Sequence, residues 1–309
     1  MEIPALNDFR SRFNDPVWIG VGSVILQRHQ IPYTEFRRAE HGENIVFLID
    51  SSYILKIYTP QKNGYHRERA ALEFAEGKIG ITIPEILDEG EIEGYHYLIT
   101  TQLGGEQMTR SQWLEVNKNC QIPFIQQLAL GLKHLHRHDA SRFDFDWQEF
   151  IQIQIGSAID KQIREGGNPE WIKRMPAYLK ENLMLIAGQS ADAFQHGDVH
   201  FGNLRVDHTN GRLNVAGLFD FADSIKGFHE YEFVAIGVLM IQGQGDLQRE
   251  FFRAYGYQDH EIDEELRRRL MMMTMLYEYS SLRRYAERLG VDPMQYTLNE
   301  LERAIWSFI

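Results

Sequence analysis

His196-Gly197-Asp198-Val199-His200-Phe201-Gly202-Asn203 is followed downstream by an apolar run, Val215-Ala216-Gly217-Leu218-Phe219, that ends in Asp220. A carboxylate, a carboxamide five positions on and a second carboxylate at the end of the next strand form the set that metal-assisted phosphoryl transfer requires. In that reaction the protein forms few covalent bonds. It holds donor and acceptor in line and offsets negative charge with magnesium. Asp198 would orient the attacking hydroxyl or take its proton, while Asn203 would offer a hard neutral oxygen and Asp220 an anionic one to the metal.

The plainer reading is a polar loop between two strands, since Asp, Asn, Gly and His all favour turns. Turn chemistry does not, however, call for the second Asp after the apolar run. His196 is read as a loop brace that acts by hydrogen bonding, and His200 and Gly202 as loop formers.

The pair of motifs HGDVHFGN and LFDFAD, residues 196–203 and 218–223, resembles the aminoglycoside phosphotransferase and choline kinase superfamily, small-molecule kinases that share the protein kinase fold. The resemblance implies a two-lobe α/β (α+β) architecture. Residues 1–103 would form a nucleotide-binding lobe around a small antiparallel sheet, and residues 104–309 a mainly helical lobe carrying the catalytic loop and the acceptor pocket. It also implies a lysine on an early strand, a glutamate on the helix that follows, ATP or GTP as phosphate donor and Mg2+ as cofactor.

Both upstream residues are present. Residues 45–50 and 51–58 read as two strands joined by a turn, with Ile54, Lys56 and Tyr58 on one face. A buried ammonium without a partner is costly, so Lys56 should meet phosphate or carboxylate. Glu68, on a helical face with Ala71, Leu72 and Ala75, is its expected partner; Glu73 points elsewhere on the helix. The alternative is a strand-edge lysine in solvent with a surface glutamate.

Residues 39–44, ending in Asn44, lie where such a kinase closes a loop over the phosphates. Gly20-Val21-Gly22 lacks a preceding strand and a third glycine, and reads as part of an N-terminal helix. Residues 95–103 read as a strand leading to Gly104-Gly105. The resemblance implies that main-chain groups of Thr101 and Leu103 meet the adenine edge, with Thr100 behind it; a simple hairpin end at the two glycines is the alternative. Past Asp220, the residues Asp223, Gly227 and Glu232 approximate the family pattern, with Glu232 where the family has Asp.

The rest of the chain reads as mainly helical: residues 125–136, 145–163, 169–187, 246–255, 263–289 and 296–308. Met271–Met275 reads as core filling, and Arg267-Arg268-Arg269 as a solvated face. At 309 residues, with 43% hydrophobic and 25% charged, the chain can bury one large core or two smaller ones. A single cysteine, Cys120, excludes internal disulfides and thiolate zinc sites and fits a reducing cytoplasm. No run approaches a membrane span. A net charge of -12 disfavours nucleic acid and anionic membranes as partners and suits a cationic small-molecule acceptor.

These readings converge on a kinase for a hydroxyl of an aminoglycoside-like acceptor, with antibiotic resistance as the implied role and with Asp223 and Glu230 as candidate acceptor contacts. A housekeeping kinase of choline, an amino alcohol, a sugar or an amino acid is the first alternative. A nucleotide-binding regulatory protein without turnover is the second, although an intact set of Lys56, Asp198, Asn203 and Asp220 argues against it.

Overall fold

In the first lobe, helix α1 (Val17–Arg28) precedes strands β1 (Phe36–Arg38), β2 (Ile45–Ile49) and β3 (Tyr53–Ile57), helix α2 (Gly64–Ala75), and strands β4 (Ile86–Ile92) and β5 (Tyr95–Thr101). The structure is a computed structural model that describes residues 3–40, 42–209 and 211–309. His41, in the loop expected over the phosphates, lies outside the described residues.

The five strands pair antiparallel in the order β1-β2-β3-β5-β4. Side-chain alternation accounts for the sheet: Ile45, Phe47 and Ile49 are buried while Val46 and Leu48, on the other face of β2, are half-buried. The tight turn between β2 and β3 places Asp50 and Ser51 at positive φ, 50° and 52°, and Asp50 pays for its strained backbone by accepting the amides of Thr34 and Glu35. Gly20 and Gly22 lie inside α1, where a Cβ at Gly22 would stand 2.6 Å from Cζ of Phe36, so the glycine lets the helix approach the sheet.

The second lobe contains α3 (Arg110–Glu115), α4 (Lys118–His136), α5 (Trp147–Arg164), α6 (Pro169–Asn182), α7 (Met184–Ala187), strands β6 (Ala193–Gln195), β7 (Leu204–Thr209), β8 (Arg212–Leu218) and β9 (Ile225–Gly227), and helices α8 (Phe233–Ala235), α9 (Gly245–Tyr255), α10 (Glu264–Leu276), α11 (Leu282–Leu289) and α12 (Leu298–Ile305). Strand β6 pairs with β9 and β7 with β8 in two small antiparallel ribbons that frame the loop 196–203. The fold is thus the expected two-lobe, kinase-like arrangement.

Two apolar cores support it. One joins α1 to the sheet through Trp18, Ile25, Phe47 and Tyr95; the larger fills the helical lobe and includes Met271, Met272, Met273 and Met275. The larger core also takes Ala71, Leu72 and Ala75 of α2. This helix belongs to the first lobe in sequence yet packs on the second, which fixes Glu68 relative to the loop 196–203. Among the described residues, no helix is long and apolar enough to cross a membrane.

Three expectations change. The helix read over 263–289 is broken: Tyr277 turns extended (φ -56°, ψ 136°), and Ser281 caps a new helix by accepting the amide of Arg284. No glycine or proline marks this break, so helical spacing ran through it. Arg267 and Arg269 are not a solvated face: Arg267 is 4% exposed and donates to the Trp306 carbonyl, and Arg269 pairs with Glu230. Glu230, expected at the acceptor, is 1% exposed and bound by Arg269 (2.8 Å) and by the Tyr257 hydroxyl (2.8 Å). Its charge is spent inside the helical lobe, where a carboxylate requires such partners.

Removal of either partner leaves a buried charge alone. Arg269→Ala should destabilise the protein by about 3–5 kcal/mol, read from the denaturant midpoint. A midpoint equal to that of the wild type would show that the pair carries no such constraint.

Candidate active site

Strand β3 carries Lys56 opposite Val46 of β2 and Leu98 of β5, on the face that looks into the cleft. Its Nζ donates to Glu68 Oε2 at 2.6 Å and to Asp220 Oδ1 at 2.7 Å. Burial disfavours the ammonium, but the charges of Asp220 and Glu68 outweigh it and hold the Lys56 pKa above its usual range. Glu68, 6% exposed on α2, also accepts from the Tyr58 hydroxyl at 2.6 Å. Burial pushes its carboxyl up against the opposing pull of Lys56. Asp220, immediately after β8 and Phe219, has φ 67°, a left-handed backbone rare for a non-glycine residue and often found at functional sites. Lys56 beside it holds its carboxyl below the usual range, against the effect of burial.

Loop 196–203 is braced from below. His196 is fully buried; its Nδ1 accepts the Asp198 amide (3.2 Å) and its Nε2 meets the Phe219 carbonyl (3.0 Å), partners that place its proton on Nε2. Glu232 is 1% exposed and accepts both the His196 amide (2.7 Å) and the Gly197 amide (3.0 Å), one with each carboxylate oxygen. The longer side chain at this position therefore reaches the loop as a bidentate brace. Gly197 has φ +87°, and a Cβ there would lie 2.2 Å from the Asp223 carbonyl oxygen.

Asp198 is held by three side chains. Its Oδ1 accepts from the Tyr277 hydroxyl at 2.7 Å; its Oδ2 accepts from Asn203 Nδ2 at 3.2 Å and lies 3.1 Å from His200 Nε2. His200 Nδ1 accepts the Gly202 amide, which leaves Nε2 to donate to Asp198. Burial works to raise the Asp198 pKa, but His200 and Tyr277 bring it below the usual range. A carboxylate held ionised in this way suits orientation of a hydroxyl, with the proton received as the new bond forms.

Asn203 turns its amide nitrogen to the Asp198 carbonyl (2.9 Å) and carboxylate, so its Oδ1 makes no hydrogen bond among the described residues. Asp220 likewise commits Oδ1 to Lys56 and leaves Oδ2 without a partner among them. These two oxygens fit magnesium, which takes one or two protein oxygens and completes its shell with water and phosphate. Among the described residues, no group of three or more His, Cys, Asp or Glu side chains forms a self-sufficient metal cluster. Bound there, the ion would neutralise phosphate charge.

Asp223 borders the same cleft. Burial raises its carboxyl, the neighbouring Asp198 and Asp220 add to the rise, and the Tyr279 hydroxyl donates to it at 3.0 Å. At the link between the lobes the Thr101 amide is committed to the Glu85 carbonyl (3.0 Å), so it is not free for a nucleotide edge. The main-chain groups of Leu103 make no hydrogen bond among the described residues, and its side chain packs over Gly217, where a Cβ would come within 2.7 Å. Thr100 is buried next to it. Asn44 ties the end of the preceding loop to the Thr59 amide at 2.9 Å.

The structure thus brings Lys56, Glu68 and Asp220 into contact and sets Asp198 against Asn203, with Asp223 alongside, while Glu230 lies elsewhere. Sequence reading did not find Tyr277 and Tyr279; both lie inside what reads as continuous helix, and only the break at 277–281 reveals them.

The solved structure of aminoglycoside 2'-phosphotransferase-IIIa in its GDP complex superposes with a TM-score of 0.70 at 13% identity, covering 94% of this chain and 99% of that one. The streptomycin-ATP-APH(2")-IIa ternary complex gives 0.60 at 17% identity over 91% and 97%. Aminoglycoside phosphotransferase APH(3'')-Id from Streptomyces rimosus gives 0.55 at 18% over 83% and 98%. At these identities the likeness is one of fold. No curated protein matches the sequence. Residues 35–269 match the APH family, described as the phosphotransferase enzyme family, and this span contains Lys56, Glu68, Asp198, Asn203 and Asp220. The chain belongs to that phosphotransferase family.

Proposed function

We propose that the protein is a small-molecule kinase that transfers the γ-phosphate of magnesium-bound ATP or GTP to a hydroxyl of an aminoglycoside-like, cationic acceptor. The observation that carries this reading is the meeting of a first-lobe cation, Lys56, with a second-lobe carboxylate, Asp220, at 2.7 Å beside the braced Asp198. A cleft of this composition suits a polyanion that needs both a cation and a metal.

In this reading Lys56, oriented by Glu68, contacts the α and β phosphates. Asn203 and Asp220 would hold the magnesium, which when bound would shield the charge of the phosphates. Leu103 offers main-chain groups to the base, and Asn44 steadies the loop above the phosphates. Asp198 orients the acceptor hydroxyl; the bond from its oxygen to the γ-phosphorus forms as the bond to the β-phosphate oxygen breaks, and its proton passes to the Asp198 carboxylate.

The acceptor class is supported by charge. Asp198 and Asp220 are held ionised at the cleft, and the whole chain carries -12. Of the similar structures, one is a complex with GDP and kanamycin and another a complex with gentamicin. The nucleotide donor and the single cysteine fit a cytoplasmic setting.

Thermal-shift titration should show stabilisation by MgATP or MgGTP that EDTA abolishes. If neither nucleotide binds, the reading fails. In a transfer assay over kanamycin, gentamicin, choline and simple amino sugars, an aminoglycoside should be phosphorylated; transfer to choline alone would replace the acceptor class. Asp198→Ala should lower kcat by about 10²–10⁴-fold with nucleotide affinity retained. Asp220→Ala should weaken the magnesium-dependent part of nucleotide binding as well.

A further inference from the structure

Between α10 and α11 the chain leaves the helix for five residues, Tyr277-Glu278-Tyr279-Ser280-Ser281. Two adjacent residues of α5 grip this loop at both ends. Lys161 Nζ donates to the carbonyls of Tyr277 (2.8 Å) and Glu278 (3.3 Å) and to Gln154 Oε1 (2.8 Å), which uses all three of its hydrogens. Gln162, 1% exposed, donates to Ser280 Oγ (3.1 Å) and accepts the Leu282 amide (2.9 Å). In the middle, the Glu278 amide donates to the buried Tyr231 hydroxyl at 2.9 Å. The loop is therefore tied at both ends and at Glu278.

Its two tyrosines reach two carboxylates of the cleft. Tyr277 donates to Asp198 Oδ1 at 2.7 Å, and Tyr279 donates to Asp223 Oδ1 at 3.0 Å. The first is a charge-assisted bond of the strong, directional kind. Tyr277 is 1% exposed, and burial together with the Asp198 charge keeps its phenol far above the ordinary value, so it stays a donor.

We infer that Tyr277 is a positioning residue for phosphoryl transfer: held by Lys161 and Gln162, it fixes the orientation of the Asp198 carboxylate from the side opposite His200 and Asn203. The inference rests on the reading of Asp198 as the group that serves the acceptor. It follows from elementary geometry. A carboxylate anchored only through Oδ2 can pivot about that contact, whereas a third donor on Oδ1 removes the freedom. Misplacement of a reacting group by a fraction of its hydrogen-bond length is expensive in rate. Lys161 acts one step further out, through the backbone of the loop.

Slow hydrolysis of MgATP or MgGTP, with water as the acceptor, gives a test that does not depend on the identity of the natural acceptor. Wild type, Asp198→Asn, Tyr277→Phe and Lys161→Met are compared in kcat, nucleotide KM and thermal midpoint. Tyr277→Phe keeps the ring and its packing and should lower kcat by about 10- to 100-fold with KM changed by less than about two-fold and the midpoint retained. Lys161 bonds Gln154 and the Tyr277 and Glu278 carbonyls and not Asp198, so Lys161→Met should reproduce part of the loss.

If Asp198→Asn is inactive while Tyr277→Phe turns over like wild type, the inference is overturned and the kinase reading stands. A Tyr277→Phe loss that comes with a matching fall in midpoint or rise in KM would show a merely structural role and overturn it too. If wild type neither hydrolyses nucleotide nor phosphorylates any acceptor of the panel, the kinase reading fails and takes the inference with it; if Asp198→Asn keeps turnover undiminished, the role given to Asp198 fails and the inference with it.

Discussion

A single ammonium group sets the terms for this protein. Lys56 lies in an apolar strand at the junction of two lobes, and a charge there is stable only with anionic partners in contact. It has two, Glu68 at 2.6 Å and Asp220 at 2.7 Å, and they come from different parts of the molecule. Glu68 is delivered by α2, whose inner face packs into the core of the helical lobe; Asp220 is delivered by the end of β8 in that lobe. The cation is therefore a point at which sheet register, helix orientation and loop conformation must agree. A shift of β3 by one residue would turn Lys56 to the opposite face of the sheet.

The second constraint is on the loop 196–203. Its carboxylate must be held still while its own backbone turns sharply, and the structure meets this with buried, mutually satisfied polar groups. Glu232 binds two successive amides, His196 bridges Asp198 and Phe219, and Gly197 takes a backbone shape that leaves no room for a Cβ against Asp223. His136 stands 3.6 Å behind Glu232 without a hydrogen bond to it, and its buried Nε2 has no partner among the described residues. Such networks are rigid because any displaced member would leave a buried partner unsatisfied.

Charge at the cleft is deliberately unbalanced. Asp198 and Asp220 are both held ionised by their neighbours, while burial and those same two charges push Asp223 the other way. Lys56 is the one cation that touches this carboxylate group among the described residues. On the proposed reading, the remaining negative potential would suit a divalent ion and a cationic acceptor. Away from the cleft, the buried Glu230 is paired locally with Arg269.

The amino-acid sequence alone was sufficient for the kinase-like fold and for the meeting of Lys56 with Glu68, because these are written as local patterns. A lone lysine in an apolar strand, a glutamate on the matching helical face, and an Asp-to-Asn spacing followed by an Asp at a strand end each carry their physical reason within a few residues. Where side chains meet only through folding, the pattern was silent or misleading. The apolar spacing of residues 263–289 runs on as if helical, and the break at Tyr277–Ser281 exists because Lys161, Gln162 and Tyr231 hold the backbone there from other elements. Glu230 and Glu232 look alike in sequence, two acids one residue apart. Tertiary packing turns one toward Arg269 and the other toward the amides of the loop 196–203, because each buried carboxylate settles where donors are already fixed.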